Sequence, residues 1–395
     1  MKRQDAKGAK QGWKPVFSIT PKTAKGLMRI EAARTEVAHI SLPPPVEAEL
    51  RRQARVRSTH FSTRIEGNRL TLDEAERVIR DDRAVFQGRE RDVSEVRNYW
   101  NARLRLEEWA EKGRPVTEDL IRRLHALVEK GPRARATPYR DGQNAIRDAA
   151  SGALVYLPPE AKDVPALMSG LAAWIESTLR MDVPAPIVAG LAHYQFVTIH
   201  PYYDGNGRTA RLLATFILHR SGYGLNGFLS VEEFHARDLA GYYAALAVHP
   251  HHNYYMGRAE ADLSGWTEYF TGILTQTYEA VAVEARRLVD AGLQTEPVFL
   301  RGLDRRARTA LALFAKTERI GARDVAEALA LSERMARVLL KEWVATGWIE
   351  VADPSRKART YTLSAQYRQY MDGLSAMNRG NDKPPRRQER QGEMM

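Results

Sequence analysis

The sequence predicts an all-α, mostly helical fold with one small β-hairpin, and a second, smaller module towards the C-terminal end. Three observations carry this reading. Helix-length stretches with apolar residues three and four apart recur along the chain, fenced by proline, glycine and capping residues. One turn-rich stretch, Asp148 to Gly152, is flanked by two short extended patterns. Beyond residue 296 the pattern changes to three short helices followed by two strands.

In chain order, residues 1–24 carry six Lys/Arg and one Asp, and read as a basic, flexible N-terminus. Lys22 to Ala38 and Pro45 to Glu66 are helices separated by the breaker Leu42-Pro43-Pro44. Proline suits a helix start, and Gly67-Asn68 a helix end. Thr71-Leu72-Asp73-Glu74 is a capping box opening the next helix. These stretches make an N-terminal helical region, 25–95. A core follows over 96–292. It contains helices at Val93 to Lys112 and Thr117 to Glu129, the hairpin of Tyr139 to Arg147 with Leu154 to Pro159, and a helix at Val164 to Leu179. A further helix runs from Pro184-Ala185-Pro186 to Ile199, one from Thr209 to Leu218, and others over Asp238 to Ala247 and Asp262 to Ala291. Leu293 to Pro297 reads as a linker. The module of 296–370 has helices at Arg308 to Phe314, Ala322 to Leu329 and Glu333 to Thr346, then strands at Gly347 to Val351 and Arg359 to Leu363. Residues 371–395 read as a disordered tail.

Composition narrows the function classes. The 395 residues are 44% hydrophobic, enough for a real core. The chain has no cysteine, which excludes disulfides and cysteine-based metal sites and fits a reducing cytoplasm. No apolar run approaches the ~18 residues of a membrane span, and Met1-Lys2-Arg3 leads into no signal-like segment. The net charge of +11 favours acidic or nucleic-acid partners without choosing between them. His249, His251 and His252 read as surface residues, because no carboxylate stands among them at ligand spacing.

The chemistry concentrates in His200-Pro201-Tyr202-Tyr203-Asp204-Gly205-Asn206-Gly207-Arg208-Thr209-Ala210-Arg211. This stretch combines a titratable base, a carboxylate, a Gly-Asn-Gly loop and two arginines. Glycines allow backbone N–H groups to approach an anion, and the helix that follows turns its positive end to the same point. Arg208 and Arg211, three apart, can share that helix's first turn.

The string resembles the signature loop of the Fic family, H-P-F-x-D/E-G-N-G-R-x-x-R, at eight of its nine specified positions; Tyr202 replaces the usual phenylalanine. The resemblance implies transfer of AMP from ATP to a hydroxyl of a target protein or of the chain itself. His200 would be the general base and Asp204 the Mg²⁺ ligand. The amides from Gly205 to Gly207 and the Asn206 side chain would stabilise the α- and β-phosphates, Arg208 would contact the leaving phosphates, and Arg211 the γ-phosphate. Ala240 to Leu246 resembles the family's adenine-pocket segment, in which Tyr242 or Tyr243 would stack on the base. Ser62-Thr63-Arg64-Ile65-Glu66-Gly67-Asn68 fits the family's inhibitory pattern, so Glu66 would pair with Arg211 and block the nucleotide. The hairpin resembles the family's flap, whose edge around Asn144, Ala145 and Ile146 would align a target segment. The resemblance leaves open removal of AMP from the target, and transfer of UMP or phosphocholine in place of AMP.

The C-terminal module resembles a winged helix-turn-helix. Leu331, Met335, Val338 and Leu339 would face its core. Arg334, Arg337 and Lys341 would enter a DNA groove, and Arg356, Lys357 and Arg359 would meet phosphates from the wing. The same module type also serves protein docking and homodimer formation. As an alternative to catalysis, the chain would be a DNA-binding regulator with a nucleotide-sensing core.

Overall fold

A computed structural model describes residues 13–40, 42–81, 83–147, 151–289, 298–315, 317–329, 331–353, 355 and 359–379. It divides into two compact units, one of Met1–Ser41 with Arg51–Ala291, the other of Leu42–Leu50 with Gly292–Met395. The division at 292 falls beside the expected linker, which lies outside the described residues. The sequence places 42–50 with the N-terminal region, whereas they group with the second unit.

The first unit is built around a buried helical hairpin. Its helices in chain order are α1 (Pro21–His39), α2 (Pro44–Ile65, in this unit from Arg51 on), α3 (Leu72–Arg80), α4 (Glu90–Glu111) and α5 (Glu118–Lys130). The strands β1 (Ile146–Arg147) and β2 (Leu154–Tyr156) follow, then α6 (Val164–Thr178), α7 (Ala185–Ile199), α8 (Asn206–Arg220), α9 (Val231–Arg237), α10 (Leu239–Leu246) and α11 (Ser264–Leu288). α7 and α8 are the central pair. α7 is apolar all round and buried along almost its whole length, so it can only sit between other helices. α6 and α11 cover α7, α4 and α5 cover α8, and α1 lies on α11. The expected capping box at Thr71 forms in full, with Thr71 accepting from the Glu74 N–H and Glu74 accepting from the Thr71 N–H. α9 escaped the sequence reading; it is short, and its acidic residues Glu232 and Glu233 are buried.

Three expectations are corrected here. Residues 13–24 are not a flexible tail. Trp13 packs edge-on to Trp174, Val16 forms a bridge with Asp262, and α1 starts at Pro21 under the Thr20 cap. Residues 1–12 lie outside the described residues. Among the described residues the hairpin pairs only Ile146 with Tyr156 and Arg147 with Leu154; the chain before it bonds instead to the loop after α7, through Arg140 to the His200 carbonyl and the Gly142 N–H to Tyr203. α8 begins at Asn206 rather than Thr209, which makes the Asn-Gly of the motif the helix's own first turn.

The second unit carries α12 (Val298–Arg301), α13 (Arg305–Leu311), β3 (Ile320–Gly321), α14 (Ala322–Leu329), α15 (Glu333–Ala345), β4 (Ile349–Asp353), β5 (Thr360–Leu363) and α16 (Ala365–Arg379). Its antiparallel sheet has the order β3-β5-β4. α13 begins three residues earlier than expected because Asp304 caps it, accepting from the N–H groups of Arg306 and Ala307. α16 replaces the first part of the expected tail. Tyr367 and Met371, four apart, are both buried, and the Tyr367 hydroxyl donates to the Phe299 carbonyl. Residues 380–395 lie outside the description. The core face of α15 is Ala336, Leu339, Leu340 and Trp343, with Trp343 against Trp348. Met335 and Val338 are instead 50% and 55% exposed, contrary to the sequence reading.

Burial sets an acid limit on the first unit. His60, His125 and His200 are pushed down to about 4, His219 and His235 to about 3, and His193 well below its usual range, in each case mainly by burial. Below a pH of ~6.5 the unfolded chain takes up protons at these sites that the folded chain refuses. Stability is therefore complete above that pH and falls steadily towards pH 4. Denaturant titrations at pH 7.5 and at pH 5 should show the unfolding free energy falling by roughly several kcal/mol, with a lower midpoint at pH 5; an unchanged midpoint would contradict the burial of these imidazoles.

Candidate functional site

The loop between α7 and α8 is held open by two left-handed residues. His200 ends α7 with φ 51° and ψ 59°, and Gly205 starts α8 with φ 72°. The first is a position L-residues rarely take outside turns, and it throws the imidazole out of the helix line. The His200 Nδ1 lies 3.3 Å from the Val197 carbonyl. A carbonyl only accepts, so Nδ1 carries the proton and Nε2 keeps its lone pair. With its pKa pushed down to about 4, mainly by burial, the ring is neutral at physiological pH.

Several residues that sequence reasoning missed brace this loop. Arg140, buried before the hairpin, donates from Nε to the His200 carbonyl at 2.9 Å, and its other nitrogens donate to the carbonyls of Gly142 and Pro159. His125 of α5 donates from Nε2 to the Asp204 carbonyl at 2.9 Å and stacks on Tyr202 at 3.6 Å. Asn206 brackets the Tyr202 peptide, accepting from its N–H at 3.0 Å and donating to its carbonyl at 2.8 Å. That side chain, expected on the phosphates, is thus committed to closing the loop. The first N–H groups of α8 have no intrahelical partner, which leaves the main chain at the helix start open to an anion.

The expected anion site is occupied by a carboxylate of the chain itself. Arg211 is fully buried and donates from Nη2 to Glu66 Oε1 at 2.8 Å. It also donates from Nε to the Ser62 hydroxyl and from Nη2 to the Ser62 carbonyl, each at 2.9 Å. A side chain at Gly207 would collide with Glu66 Oε1, so the carboxylate lies directly on the first turn of α8. The Glu66 end of α2 is anchored by Gly67 at φ 91° and by Asn68, whose amide donates to the Asp92 carbonyl and to Glu95.

Arg208 is placed differently from expectation. Only 3% of its side chain is exposed, and Nη2 lies 2.9 Å from Glu129 Oε1 and 3.3 Å from Asp204 Oδ1. It faces a group of carboxylates rather than the open side of the loop. Burial pushes the Glu129 carboxyl up, against the pull of Arg208. Asp204 itself is more than half exposed at the rim; Oδ1 accepts from the Gly205 N–H and Oδ2 from Arg91 at 3.1 Å. Among the described residues no group of three His, Cys, Asp or Glu could hold a metal. A single accessible carboxylate beside an anion site suits Mg²⁺, which binds through one or two carboxylates and substrate phosphates.

The two tyrosines separate cleanly. Tyr242 is buried, bonded through its hydroxyl to His193 Nε2 at 2.9 Å and packed among His235, Tyr269 and Trp266. It is a core residue and has no free face for a base. Tyr243 is 50% exposed, and its hydroxyl lies 3.5 Å from the Ile65 carbonyl, next to Glu66. On the flap side, Asn144 donates to the Tyr202 carbonyl at 3.3 Å, while Ala145 is exposed and Ile146 half-buried. Tyr203 accepts from the Gly142 N–H and donates to Asp141.

Residues 115–218 match the model of the Fic/DOC family. The chain carries a Fic domain. It is similar to the protein adenylyltransferase Fic of Nematostella vectensis, 31% identical over 180 residues, covering 44% of this chain and 39% of that protein. The adenylyltransferase Fic of Drosophila willistoni is 28% identical over 204 residues, covering 50% of this chain and 38% of the relative. The chain thus spans about two fifths of the length of these relatives. Among solved structures, a Fic family protein from Desulfovibrio desulfuricans superposes with a TM-score of 0.56 at 26% identity, over 89% of this chain and 99% of that one. Fic-1 from C. elegans shares the fold, with a TM-score of 0.53 at 24% identity over 68% and 73% of the two chains. The Fic domain places its loop between α7 and α8, and its central helices are the most deeply buried of the unit.

The Fic domain departs from the usual loop at Tyr202. Its hydroxyl is buried and has no hydrogen-bond partner among the described residues. Tyr202→Phe removes that unmet group and keeps the stack on His125. It should raise stability by about 1 kcal/mol, read as a higher midpoint in urea; a lower midpoint would mean that the hydroxyl is satisfied.

Proposed function

We propose that the chain is an autoinhibited protein adenylyltransferase. The observation that carries this is the Glu66 carboxylate lying on Gly207 and bonded to buried Arg211, at the helix start where a nucleotide's phosphates would bind. A site that draws in its own carboxylate so closely is built for anions. In the active form the neutral His200 Nε2 takes the proton from a target hydroxyl, and that oxygen attacks the α-phosphorus. The bond to the β-phosphate oxygen breaks and pyrophosphate departs. The first-turn amides of α8 and Arg211 hold the phosphates. Mg²⁺ on Asp204 would supply charge neutralisation to the triphosphate. Tyr243 is the tyrosine able to cover the adenine. The free edge of β1 around Asn144, Ala145 and Ile146 would align the target segment, and hydroxyls of the chain itself are further acceptors. Glu66 opposes all of this by holding Arg211 and repelling phosphate.

A charge-assisted hydrogen bond is worth about 1.5–3 kcal/mol, so Glu66→Gly should raise AMP incorporation by roughly ten- to a hundred-fold. Intact-mass spectrometry after incubation with Mg-ATP reads this directly. The expected result is gain of AMP in Glu66→Gly and none when His200→Ala is added. Equal labelling of the parent and Glu66→Gly would remove the brake, and labelling without His200 would remove the base.

A second reading rests on the second unit. Its order of helix, strand, two helices and two strands, with the sheet β3-β5-β4, suits a winged helix-turn-helix. Arg334, Arg337 and Lys341 are exposed on α15, with Arg337 also paired to Glu333. Of the expected wing residues, Arg359 is exposed and Arg356 and Lys357 lie outside the described residues. We infer duplex DNA binding through α15, with homodimer formation or protein docking as competing uses of the module. Replacing Arg334, Arg337 and Lys341 together with Ala should weaken duplex binding at least tenfold and flatten its salt dependence by about two to three phosphate contacts. Fluorescence anisotropy across salt concentrations tests this, and an unchanged salt slope would dismiss the DNA reading.

A further inference from the structure

One nitrogen in the loop serves two carboxylates. Arg208 Nη2 lies 2.9 Å from Glu129 Oε1 and 3.3 Å from Asp204 Oδ1. Glu129 comes from the last turn of α5, far from the motif in sequence. It reaches Arg208 by passing across Gly205, where any Cβ would collide with its Oε1, Cδ and Cγ atoms. The glycine is therefore required twice, for its left-handed φ of 72° and for the passage of this side chain. The Glu129 contact is an ion pair out of line for a hydrogen bond, so Oε1 is answered by the Arg208 charge alone. The other Arg208 terminal nitrogen lies 3.8 Å from Glu95, which is itself held by Asn68 and Arg91.

We infer that Glu129 is a positioning residue that shares the charge of Arg208 with Asp204 and so loosens the hold of Arg208 on that carboxylate, leaving it exchangeable for a divalent cation. This rests on the adenylyltransferase reading for the cation's purpose. The physical argument is one of competition. A guanidinium that is 3% exposed cannot be neutralised by water, so it takes its counter-charge from whichever carboxylate is nearest. With Glu129 present, the shorter charge contact goes to Glu129 and the longer hydrogen bond to Asp204 Oδ1, so neither carboxylate holds Arg208 alone. Without that charge, Asp204, four residues before Arg208 on the same turn, is the nearest acid left. Arg208 would then bind more tightly to Oδ1, the oxygen it already touches at 3.3 Å and that a cation needs. The sequence assignment of Arg208 to the leaving phosphates gives way to this role.

The test uses Mn²⁺ as the cation and ADP as the nucleotide, in the full chain carrying Glu66→Gly and His200→Ala so that no turnover occurs. Water-proton relaxation reports Mn²⁺ bound to the protein complex. Adding Glu129→Gln should raise the Mn²⁺ midpoint about tenfold, the scale of one partly buried charge pair. Glu129→Asp, which keeps the charge, should recover part of that loss. In an Arg208→Gln background the same Glu129→Gln change should have no effect, because the competitor is gone. A midpoint that does not move overturns the inference. So does a shift that persists undiminished without Arg208, which would make it a through-space effect of charge. Should Glu129→Gln fail to fold, Arg208→Gln alone must lower the midpoint, and an unchanged or higher one overturns the inference. Absence of ADP-dependent Mn²⁺ binding in the parent overturns the transferase reading and this inference with it. Normal parent binding with an unshifted variant overturns this inference alone.

Discussion

Two arginines are buried at the positive end of a helix, and much of the site follows from the need to answer their charge. Arg208 and Arg211 stand in the first turns of α8, where the helix dipole already repels cations. Each is almost wholly removed from water. Neither can remain there without an anion close by. In this chain the anions are internal: Glu66 on Arg211, with Ser62 beside it, and Glu129 and Asp204 together on Arg208. Glu66 directly follows α2 and Glu129 lies in α5, so the charge balance at the start of α8 ties three distant parts of the chain together.

The loop around those arginines is stiff before any ligand arrives. Its His200 end is fixed by Arg140, its middle by the Asn206 bracket on Tyr202, and its Asp204 end by His125. Each of these is a side chain bonded to a main-chain group, which fixes backbone direction as well as position. Such bracing lets His200 hold a left-handed conformation that would otherwise relax. Preorganised dipoles and donors are the main resource of phosphoryl-transfer sites; on the transferase reading, that resource lies here in the fold rather than in closure on a substrate.

The legible part of this architecture was the local part. The motif's base, carboxylate, glycines and arginines stand within twelve residues, and helix periodicity with caps located α1, α3, α5 and α11 closely. What the sequence hid depends on partners far along the chain. Glu129 and Arg208 are a pair only because α5 lies on α8, and no spacing announces that. Arg140 and His125 read as ordinary polar residues until the loop is folded against them. Tyr242 and Tyr243 are adjacent and chemically alike, and only the turn of α10 decides which is buried. The face of α15 was misjudged because Met335 and Val338 are apolar at helical spacing, yet Trp343 and Leu340 set the core face one position further round. Tyr367 and Met371 offered too short an apolar pattern to separate α16 from a tail.

On the transferase reading, the construction of the brake sets how it can be released. Glu66 follows directly on the last residue of α2, and Gly67 turns the chain away immediately after it. Ser62, Thr63 and Ile65 are buried and stay packed whichever way Glu66 points. The carboxylate is 32% exposed, so an incoming phosphate meets it without unfolding the helix. The energy holding it is then about that of one charge-assisted contact, not that of the packed helix. A partner or a nucleotide needs to outbid only that contact, and Arg211 keeps its place through both of its bonds to Ser62 while the anions exchange. The arrangement separates the part that must be rigid, the arginine, from the part that must move, the glutamate.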